Sequence, residues 1–214
     1  MMKKGVLFTG GEGPCKKYVD TCVGTADIIA AADSGMDLAY SLGIIPDYLI
    51  GDMDSLINHS LIRKLPEERV FTADTEKDET DTELGLDLLF SKKCDEITII
   101  GGGGGRIDHF LGILSLFHRE AHPHKWLMRD YMIHCISRKT RIYGRIGCKV
   151  SFFPVGRTEA TMTSQGLKWN LNSLIWEIGD AGISNVIAES PCVVVPKTGR
   201  LILVSELAEE LKVE

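Results

Sequence analysis

The first 130 residues of the chain alternate short apolar runs with stretches of helical period. Each apolar run ends at glycine or aspartate, which is typical of buried strands. Alternation of strand and helix favours a parallel sheet with helices on both faces. Five strands are predicted, in GVLFTGG, ADIIAAADSG, DYLIGD, RVFTAD and EITIIGGGGG, and KWLMRD is a candidate for a last one. Helices are predicted in MDLAYSLG, LINHSLIRKL, TELGLDLLFSKK and RIDHFLGILSLFHREA.

After about Asp130 the pattern changes to short strand candidates separated by turn residues, such as KVSFFPVG, EATMTSQGLKW and NVIAES. CVVVPKTGRLILV predicts a β-hairpin across PKTG, and SELAEELKVE is the only helix candidate in this part of the sequence. We therefore predict two domains. Residues 1–130 form an α/β domain, a Rossmann-like three-layer arrangement around a parallel sheet, and residues 131–214 form an all-β sandwich.

Composition and charge narrow the class of protein. With 44% hydrophobic and 25% charged residues, the chain has the composition of a globular protein. Its net charge of −6 argues against broad nucleic-acid binding, which needs a basic face. The six cysteines include no Cys-x-x-Cys pair, no signal peptide is recognised, and no apolar run approaches the length of a membrane span. We expect a cytoplasmic protein that binds neither nucleic acid nor membrane.

Acids or glycines follow four consecutive predicted strands. Asp33 follows the second strand, Asp52 and Asp54 follow the third, an acidic segment at 73–83 follows the fourth, and GGGGGRIDH follows the fifth. Ligands of parallel sheets bind beyond the carboxyl ends of the strands. We therefore expect one edge of this sheet to be rich in oxygen ligands.

Asp52 and Asp54 are the most specific pair among these acids. Residues i and i+2 of an extended segment point the same way, so both carboxylates can face one hard cation. Proteins commonly hold Mg²⁺ through one or two carboxylates, waters and substrate phosphates. The alternative interpretation is that Asp54 or Ser55 only caps a following helix.

The segment 74–83 contains six acids and a single lysine, Lys77. So much like charge is unfavourable unless it is solvated or bound to metal. A capping box that begins at Thr80 would place Asp81 in the first turn of a helix, where the helix dipole alone can explain an acid. Asp78 and Asp81 are the two acids that we assign to a metal.

Five glycines, residues 101–105, separate the fifth strand from a helix. Glycine lets the backbone approach a phosphate, the helix N-terminus favours an anion, and Arg106 adds a planar donor group. Arg106 stands where the third glycine of a dinucleotide fingerprint would fall, and the sequence has no Gly-Lys-Ser/Thr, so neither standard nucleotide motif is present. The alternative is a flexible turn without a ligand.

Four segments occur in the order seen in thiamin pyrophosphokinases, namely AADSGMDLAYSLGIIPDYLIGDMDSL, KDETDTELGLDLL, GGGGGRIDH and SQGLKWNL. On these segments the chain resembles that family over nearly its whole length. The resemblance implies an α/β domain followed by a β-sandwich, and a homodimer with active sites at the subunit interface. It also implies that pyrophosphate is transferred from ATP to the hydroxyl of thiamin, which gives thiamin diphosphate and AMP, and that Mg²⁺ is required.

The resemblance assigns roles to residues at matching positions. The implied metal ligands are Asp52, Asp54 and Asp81, and with Arg106 and Asp108 they make up the implied catalytic set. The implied ATP and phosphate contacts are Asp33, Lys77, Asp78, Gly103, Gly104, Gly105 and Arg106. The implied thiamin contacts are Ser164, Gly166, Leu167, Lys168, Trp169, Ser184 and Asn185.

The chemistry of these residues agrees with the implied reaction. Phosphoryl-type transfer needs charge neutralisation and in-line positioning more than a covalent nucleophile. Asp108 is placed to orient or to deprotonate the attacking hydroxyl, and the sequence leaves both roles open. Trp169 is either a stacking surface for the thiamin cation or an ordinary core aromatic.

Two other functions compete with this interpretation. One is a Mg²⁺-dependent nucleotide hydrolase with the same fold and no thiamin site, against which the intact GLKWNL argues. The other is a non-catalytic regulator that binds thiamin or a nucleotide. That class predicts the loss of metal-binding acids, whereas Asp52, Asp54 and Asp81 are all present.

Overall fold

A computed structural model describes residues 2–214, which form two compact units. The first unit extends to Leu116 and includes Pro123–Arg129, and the second contains Phe117–His122 and Asp130–Glu214. The segment Phe117–His122 thus belongs to the second unit, and the functional domain boundary after residue 130 stays a prediction. Within residues 2–214, no helix has the length and apolar character needed to cross a membrane.

The first unit is built on a parallel sheet with the strand order β6-β5-β1-β2-β3-β4. Its strands are β1 (Lys4–Phe8), β2 (Ile28–Ala32), β3 (Tyr48–Gly51), β4 (Val70–Thr72), β5 (Glu96–Ile100) and β6 (Lys125–Leu127). The central strands are continuous apolar runs because helices cover both faces of such a sheet. Leu7, Phe8, Ile97 and Ile99 are completely buried. All five predicted strands and the candidate sixth are confirmed.

The helices of this unit are α1 (Lys16–Val23), α2 (Gly35–Ser41), α3 (Asp81–Ser91) and α4 (Ile107–Leu116). The sequence pattern does not predict α1, since Val19 is its only buried residue and no apolar stripe marks it. The prediction of an α-helix in LINHSLIRKL is wrong. That stretch contains a 3₁₀ helix, His59–Lys64, in which Leu61 alone is buried, so it has too little apolar surface for a packed helix. A further 3₁₀ turn spans Glu67–Arg69.

The start of α3 confirms the predicted capping box. The Thr80 hydroxyl accepts a hydrogen bond from the Glu83 N–H at 3.3 Å, and the Glu83 carboxylate accepts one from the Thr80 N–H at 2.9 Å. These reciprocal bonds satisfy two amides that the helix itself leaves unpaired. Asp81 is thereby fixed as the first residue of α3.

The second unit consists of two antiparallel sheets, ordered β12-β9-β14-β7 and β11-β10-β13-β8-β15. Its strands are β7 (Tyr131–Ile136), β8 (Thr140–Tyr143), β9 (Lys149–Val155), β10 (Ala160–Gln165), β11 (Ile175–Trp176), β12 (Gly182–Val186), β13 (Cys192–Thr198), β14 (Arg200–Glu206) and β15 (Lys212–Val213). Phe152 and Leu203 from the first sheet share one buried cluster with Met162 and Val194 from the second. The predicted β-sandwich is confirmed.

Two local predictions for this unit are wrong. β13 and β14 do not form a hairpin, because β13 pairs with β8 and β10 whereas β14 pairs with β7 and β9. The turn at Gly199 carries the chain from one sheet to the other, and apolar residues of both strands enter the core between the sheets. The tail is not an α-helix, since Leu207–Glu209 forms a 3₁₀ turn and the chain then continues as β15.

Candidate functional site

A cavity of about 520 Å³ lies at the carboxyl edge of the parallel sheet in the first unit. The chain reaches it just after β1, β2, β3 and β5, as expected for a ligand site in a parallel sheet. Its lining includes Asp33, Asp52, Asp54, Asp81 and Arg106. A second cavity of about 410 Å³, in the sandwich unit, is lined by Lys139 and Arg141 and by no carboxylate. The acidic chemistry predicted from the sequence is therefore collected in the first cavity.

Asp33, Asp52 and Asp54 converge in this cavity. Each offers one carboxylate oxygen, and these oxygens all lie within 4.8 Å of one another. Asp33 meets Asp52 because β2 and β3 are neighbours in register, with Ala32 opposite Ile50. Asp33 is itself buried, and its Oδ1 has no hydrogen-bond partner. Burial raises the pKa of Asp33 above its usual value, and the neighbouring Asp81 charge adds to this effect.

Asp52 and Asp54 face the same region for a reason that differs from the predicted one. The segment is not extended, since Met53 has a φ of +64°. The turn lets the Asp54 N–H donate to Asp52 Oδ1 at 3.1 Å. That bond, followed by contacts with Lys77, lowers the pKa of Asp52. The capping alternative for Asp54 or Ser55 is wrong, because the next helical turn is capped by the Asn58 side chain, which accepts from the Ser60 N–H.

The acidic segment before α3 adds a cation and a fourth carboxylate. Lys77 Nζ lies 3.1 Å from Asp52 Oδ2, 3.1 Å from Asp81 Oδ1 and 3.0 Å from the carbonyl oxygen of Asp74. Asp81 packs against Gly51, where a Cβ would lie 3.0 Å from Asp81 Oδ1 and where φ is +139°. Only glycine combines that backbone conformation with such a close approach.

Asp78 is the member of the acidic segment that the cavity does not include. Its side chain is exposed, whereas Lys77, Glu79 and Asp81 on either side of it line the cavity. The assignment of Asp78 to ATP or metal stays a prediction.

The five glycines at 101–105 expose less backbone to the cavity than their sequence suggests. Gly102 lines the cavity, but Gly103 is buried in a backbone bridge with Glu12. The Gly103 N–H donates to the Glu12 carbonyl at 3.2 Å, so this amide is already paired. Gly104 and Gly105 are exposed and have φ values of +63° and +97°. Contact of Gly103, Gly104 and Gly105 with phosphate stays a prediction.

Arg106 and Asp108 form an ion pair at the start of α4. Arg106 Nε lies 3.2 Å from Asp108 Oδ1, and Arg106 Nη2 lies 2.5 Å from Asp108 Oδ2. Hydrogen bonding from the arginine lowers the pKa of Asp108 to about 2. Asp108 is therefore charged at neutral pH and is a weak base. Both residues line the cavity, at its exposed rim.

The residues assigned to thiamin gather around the end of β10, the loop that follows it at residues 166–172, and the strand β12. The Asn185 side chain accepts from the Trp169 N–H at 3.2 Å and donates to the Trp169 carbonyl at 2.7 Å. Lys168 Nζ lies 4.5 Å from the centre of the Trp169 ring. Trp169 is 54% exposed, which excludes its interpretation as a core aromatic.

The remaining thiamin-assigned residues support this loop. The Ser164 hydroxyl accepts from the Leu171 N–H at 2.8 Å. The Gly166 carbonyl accepts from the N–H groups of residues 188 and 189. Leu167 is buried opposite Ile187, whereas Ser184 is exposed with a φ of +60°. Most of these residues therefore shape the loop, and their direct contact with a ligand stays a prediction.

Several polar residues that were not predicted from the sequence lie in the cavity of the first unit and in the loop of the sandwich unit. Thr9 and Thr82 line the cavity and share a hydrogen bond of 2.7 Å between their hydroxyls. Thr9 follows β1, so the rule that singled out the other strand ends also applies to it. In the sandwich unit, the Asn172 side chain accepts from the Ser164 N–H at 2.7 Å. No pattern in the sequence indicates this contact.

Comparison with known families gives two matches that together span most of the chain. The family model described as "Thiamin pyrophosphokinase, catalytic domain" matches residues 19–127, and that described as "Thiamin pyrophosphokinase, vitamin B1 binding domain" matches residues 133–202. The thiamine pyrophosphokinase of Bacillus subtilis is 30% identical, over 88% of this chain and 92% of that protein. Thiamine pyrophosphokinase 3 of Oryza sativa is 25% identical, over 70% of this chain and 61% of the relative.

Solved structures show the same two-unit fold. The thiamine pyrophosphokinase structure from Bacillus subtilis superposes with a TM-score of 0.75 at 26% identity, covering 95% of this chain and 99% of that one. The structure of the Geobacillus thermodenitrificans protein gives 0.72 at 25% identity, covering 96% and 97% of the two chains. The Candida albicans protein, at 16% identity, gives 0.70 and supports the fold alone. Both family models and the Bacillus subtilis relative lead to one conclusion: the chain belongs to the thiamin pyrophosphokinase family.

Proposed function

We propose that the cavity of the first unit holds ATP, with Mg²⁺, for the reaction of this family. The chain is an enzyme, and its reaction transfers pyrophosphate from ATP to thiamin, giving thiamin diphosphate and AMP. The observation that carries the site assignment is the convergence of Asp33, Asp52 and Asp54 within 4.8 Å at the carboxyl edge of the sheet. A nucleotide hydrolase would need the same edge of the parallel sheet. It would not need the loop of the sandwich unit that is assigned to thiamin.

The carboxylates fit a divalent cation in their chemistry and their burial. Mg²⁺ prefers carboxylate oxygen, and the buried Oδ1 of Asp33 lacks any other partner. Asp52, Asp54 and Asp81 are the proposed ligands, with Asp33 beside them. When bound, the metal supplies positive charge that stabilises the phosphate oxygens during transfer. The protein's part is to fix these carboxylates on strand ends and on the first turn of α3 before substrate arrives.

Arg106 and Asp108 are proposed to act at the rim of the cavity. The Arg106 guanidinium provides a planar donor group for phosphate oxygens. Asp108, with its pKa lowered to about 2, holds a negative charge throughout the neutral range. We assign Asp108 to orienting the thiamin hydroxyl by accepting its hydrogen bond. Lys77 and Asp78 remain the other proposed nucleotide contacts, with the glycines 103–105.

The sandwich unit is proposed to bind thiamin through Trp169 and its loop. Trp169 is half exposed, yet its backbone is held on both polar groups by Asn185. An exposed aromatic ring on a fixed backbone is suited to stack on a flat cation. Lys168 lies over one face of the indole, so we assign the ligand to the other face. Ser164, Gly166 and Leu167 hold the loop in place, and Ser184 precedes Asn185 on β12.

We further propose a homodimer in the cytoplasm, with active sites at the subunit interface. The support for association is a set of apolar side chains that are 45–68% exposed in the sandwich unit, namely Leu174, Ile175, Ile178 and Ile183. Apolar residues clustered at a surface mark contact sites with other proteins. The support for a reducing compartment is that all six cysteines are free thiols.

Product analysis tests the proposed function. Purified protein is incubated with ATP, Mg²⁺ and thiamin, and nucleotides and thiamin species are separated by chromatography. We expect AMP and thiamin diphosphate in equal amounts, and no AMP when thiamin is omitted. Formation of ADP, or of AMP without thiamin, would show that the cavity handles ATP in a different reaction.

A further inference from the structure

Lys77 is held by oxygen atoms on three sides. Its ammonium group has three protons and no lone pair, and it makes three contacts, with Asp52 Oδ2, Asp81 Oδ1 and the Asp74 carbonyl, at 3.0–3.1 Å. The Lys77 side chain is 13% exposed and that of Asp52 is 11% exposed. This arrangement is a largely buried ion-pair network and not a solvated surface contact.

The carboxylates that Lys77 contacts are two of the three proposed metal ligands. A divalent cation that bound Asp52 and Asp81 would share these two carboxylates with the ammonium group, and two positive charges this close repel each other. Neither Asp33 Oδ1 nor Asp81 Oδ1 accepts a hydrogen bond, but Asp81 Oδ1 lies 3.1 Å from the Lys77 ammonium, whereas no ion pair joins Lys77 to Asp33. The lysine thus covers the Asp52–Asp81 side of the cluster and leaves the Asp33 side open.

We propose that Lys77 is the resident counter-ion of the carboxylate cluster while the site is free of nucleotide, and that it moves to a nucleotide phosphate when the metal–nucleotide complex enters. The proposal rests on the proposed metal site of Asp52, Asp54 and Asp81. The flexible four-carbon stem of lysine allows the amine to exchange one anionic partner for another. As a consequence, free divalent cations bind weakly, and metal and nucleotide enter together.

Removal of the lysine charge provides the first test. Binding of Mn²⁺, as a paramagnetic probe, is measured by electron paramagnetic resonance without nucleotide for the wild type, Lys77→Met and Lys16→Met. Lys16 is 57% exposed and pairs with Asp20, so its loss changes the net charge equally but away from the cavity. We expect Lys77→Met to bind Mn²⁺ at least about tenfold more tightly, since a repelling charge is gone, and Lys16→Met to stay within about twofold of the wild type. Unchanged or weaker Mn²⁺ binding by Lys77→Met overturns the proposal.

A second test uses the unaltered protein and so does not depend on the folding of a variant. Lysine acetylation by a limiting amount of acetic anhydride is quantified by peptide mass spectrometry in three conditions: without ligand, with Mg²⁺ alone, and with Mg²⁺ plus a non-hydrolysable ATP analogue. Mg²⁺ alone, at a concentration high enough to occupy the carboxylates despite its weak binding, is expected to release the Lys77 amine and raise its labelling. Addition of the analogue is expected to lower the labelling again, because a phosphate then pairs with the amine. Labelling of Lys16 serves as the internal reference. Lys77 labelling that stays unchanged at a Mg²⁺ concentration that displaces Mn²⁺ from the site overturns the proposal.

The Asp54→Asn variant separates this proposal from the function on which it rests. If Asp54→Asn weakens Mn²⁺ binding while Lys77→Met leaves it unchanged, the metal site stands and the counter-ion role fails. If Asp54→Asn leaves Mn²⁺ binding unchanged, the metal assignment fails, and the counter-ion role fails with it.

Discussion

Asn185 holds Trp169 by both polar groups of its backbone, with the amide oxygen 3.2 Å from the Trp169 nitrogen and the amide nitrogen 2.7 Å from its carbonyl oxygen. Asn185 is 6% exposed, whereas Trp169 is 54% exposed. A buried side chain therefore fixes the backbone that carries an exposed ring. The backbone of the loop is preorganised, so the proposed stacking of the ring on thiamin would cost little further backbone entropy.

Replacement of Asn185 by leucine removes both of these bonds at nearly constant volume. A lost hydrogen bond with a buried partner left unpaired costs about 1–3 kcal/mol, and about 1.4 kcal/mol corresponds to tenfold in affinity. We expect the KM for thiamin to rise about tenfold while the KM for ATP stays unchanged. Steady-state kinetics with each substrate varied in turn measures the two constants. Equal increases in both would indicate a general loss of structure.

The ion pair between Arg106 and Asp108 leads to a prediction about the pKa of Asp108. Its pKa is lowered to about 2 by hydrogen bonding from Arg106. For a carboxyl with a depressed folded-state pKa, the favourable contribution is present above the usual value of about 3.9 and is lost as the pH falls towards 2. We expect Arg106→Gln to return the pKa towards 3.9.

The carboxyl ¹³C shift of Asp108, followed by nuclear magnetic resonance between pH 2 and 6, measures this change. Arg63→Gln removes the same charge from an exposed 3₁₀ helix and is expected to leave the Asp108 titration unaltered. Coincident titration curves for Asp108 in the wild type and in Arg106→Gln would contradict the assigned cause.

We predict that substitution of Gly51 affects activity through Asp81. A Cβ at this position would lie 3.0 Å from Asp81 Oδ1 and 3.3 Å from Asp33 Cβ, at a φ of +139°. Strain at such a φ costs on the order of 1–3 kcal/mol. Gly43 is the matched control, because it also has a positive φ, +79°, but open space where the Cβ would be.

We expect Gly51→Ala and Gly43→Ala both to lower the free energy of unfolding, as measured by urea denaturation. Only Gly51→Ala is expected to lower kcat, by about tenfold or more, because it displaces a carboxylate of the cluster. Similar kcat values for the two variants would indicate that Asp81 has no role in the reaction.

A shared site in a homodimer predicts complementation between variants. Asp54→Asn is expected to inactivate the cavity of the first unit, and Trp169→Ala to weaken the proposed thiamin binding by the sandwich unit. If each active site takes one part from each subunit, co-refolded mixtures contain heterodimers with one intact site, and activity partly recovers. Native mass spectrometry confirms heterodimer formation. Heterodimers that are present but inactive would place the whole site within one chain.

The sequence predicts the sheet and its chemistry because both follow local rules. Continuous apolar runs mark buried parallel strands, the carboxyl ends of such strands meet at one edge, and the Thr80 capping box depends on residues only three positions apart. Asp52 and Asp54 were found for this reason, although the turn at Met53, and not an extended backbone, directs them to the same cavity.

The features that the sequence does not predict depend on contacts between distant segments. In the sequence, Lys77 is simply the one basic residue of an acidic segment. Its position between Asp52 and Asp81 is visible only in the folded structure. The alternation in CVVVPKTGRLILV fits a hairpin as well as it fits two strands in facing sheets. Burial of both strands in one core decides for the second arrangement. The clamp of Asn185 on Trp169 likewise joins residues that no periodicity relates.

The central claim is that the carboxylates at the ends of β2 and β3 serve pyrophosphate transfer from ATP to thiamin. The most direct measurement compares thiamin-dependent AMP release by the wild type and by Asp54→Asn, with circular dichroism to verify the fold. The account predicts one thiamin diphosphate per AMP for the wild type and a rate at least about 100-fold lower for the folded variant. A folded Asp54→Asn variant that releases AMP at the wild-type rate would contradict it.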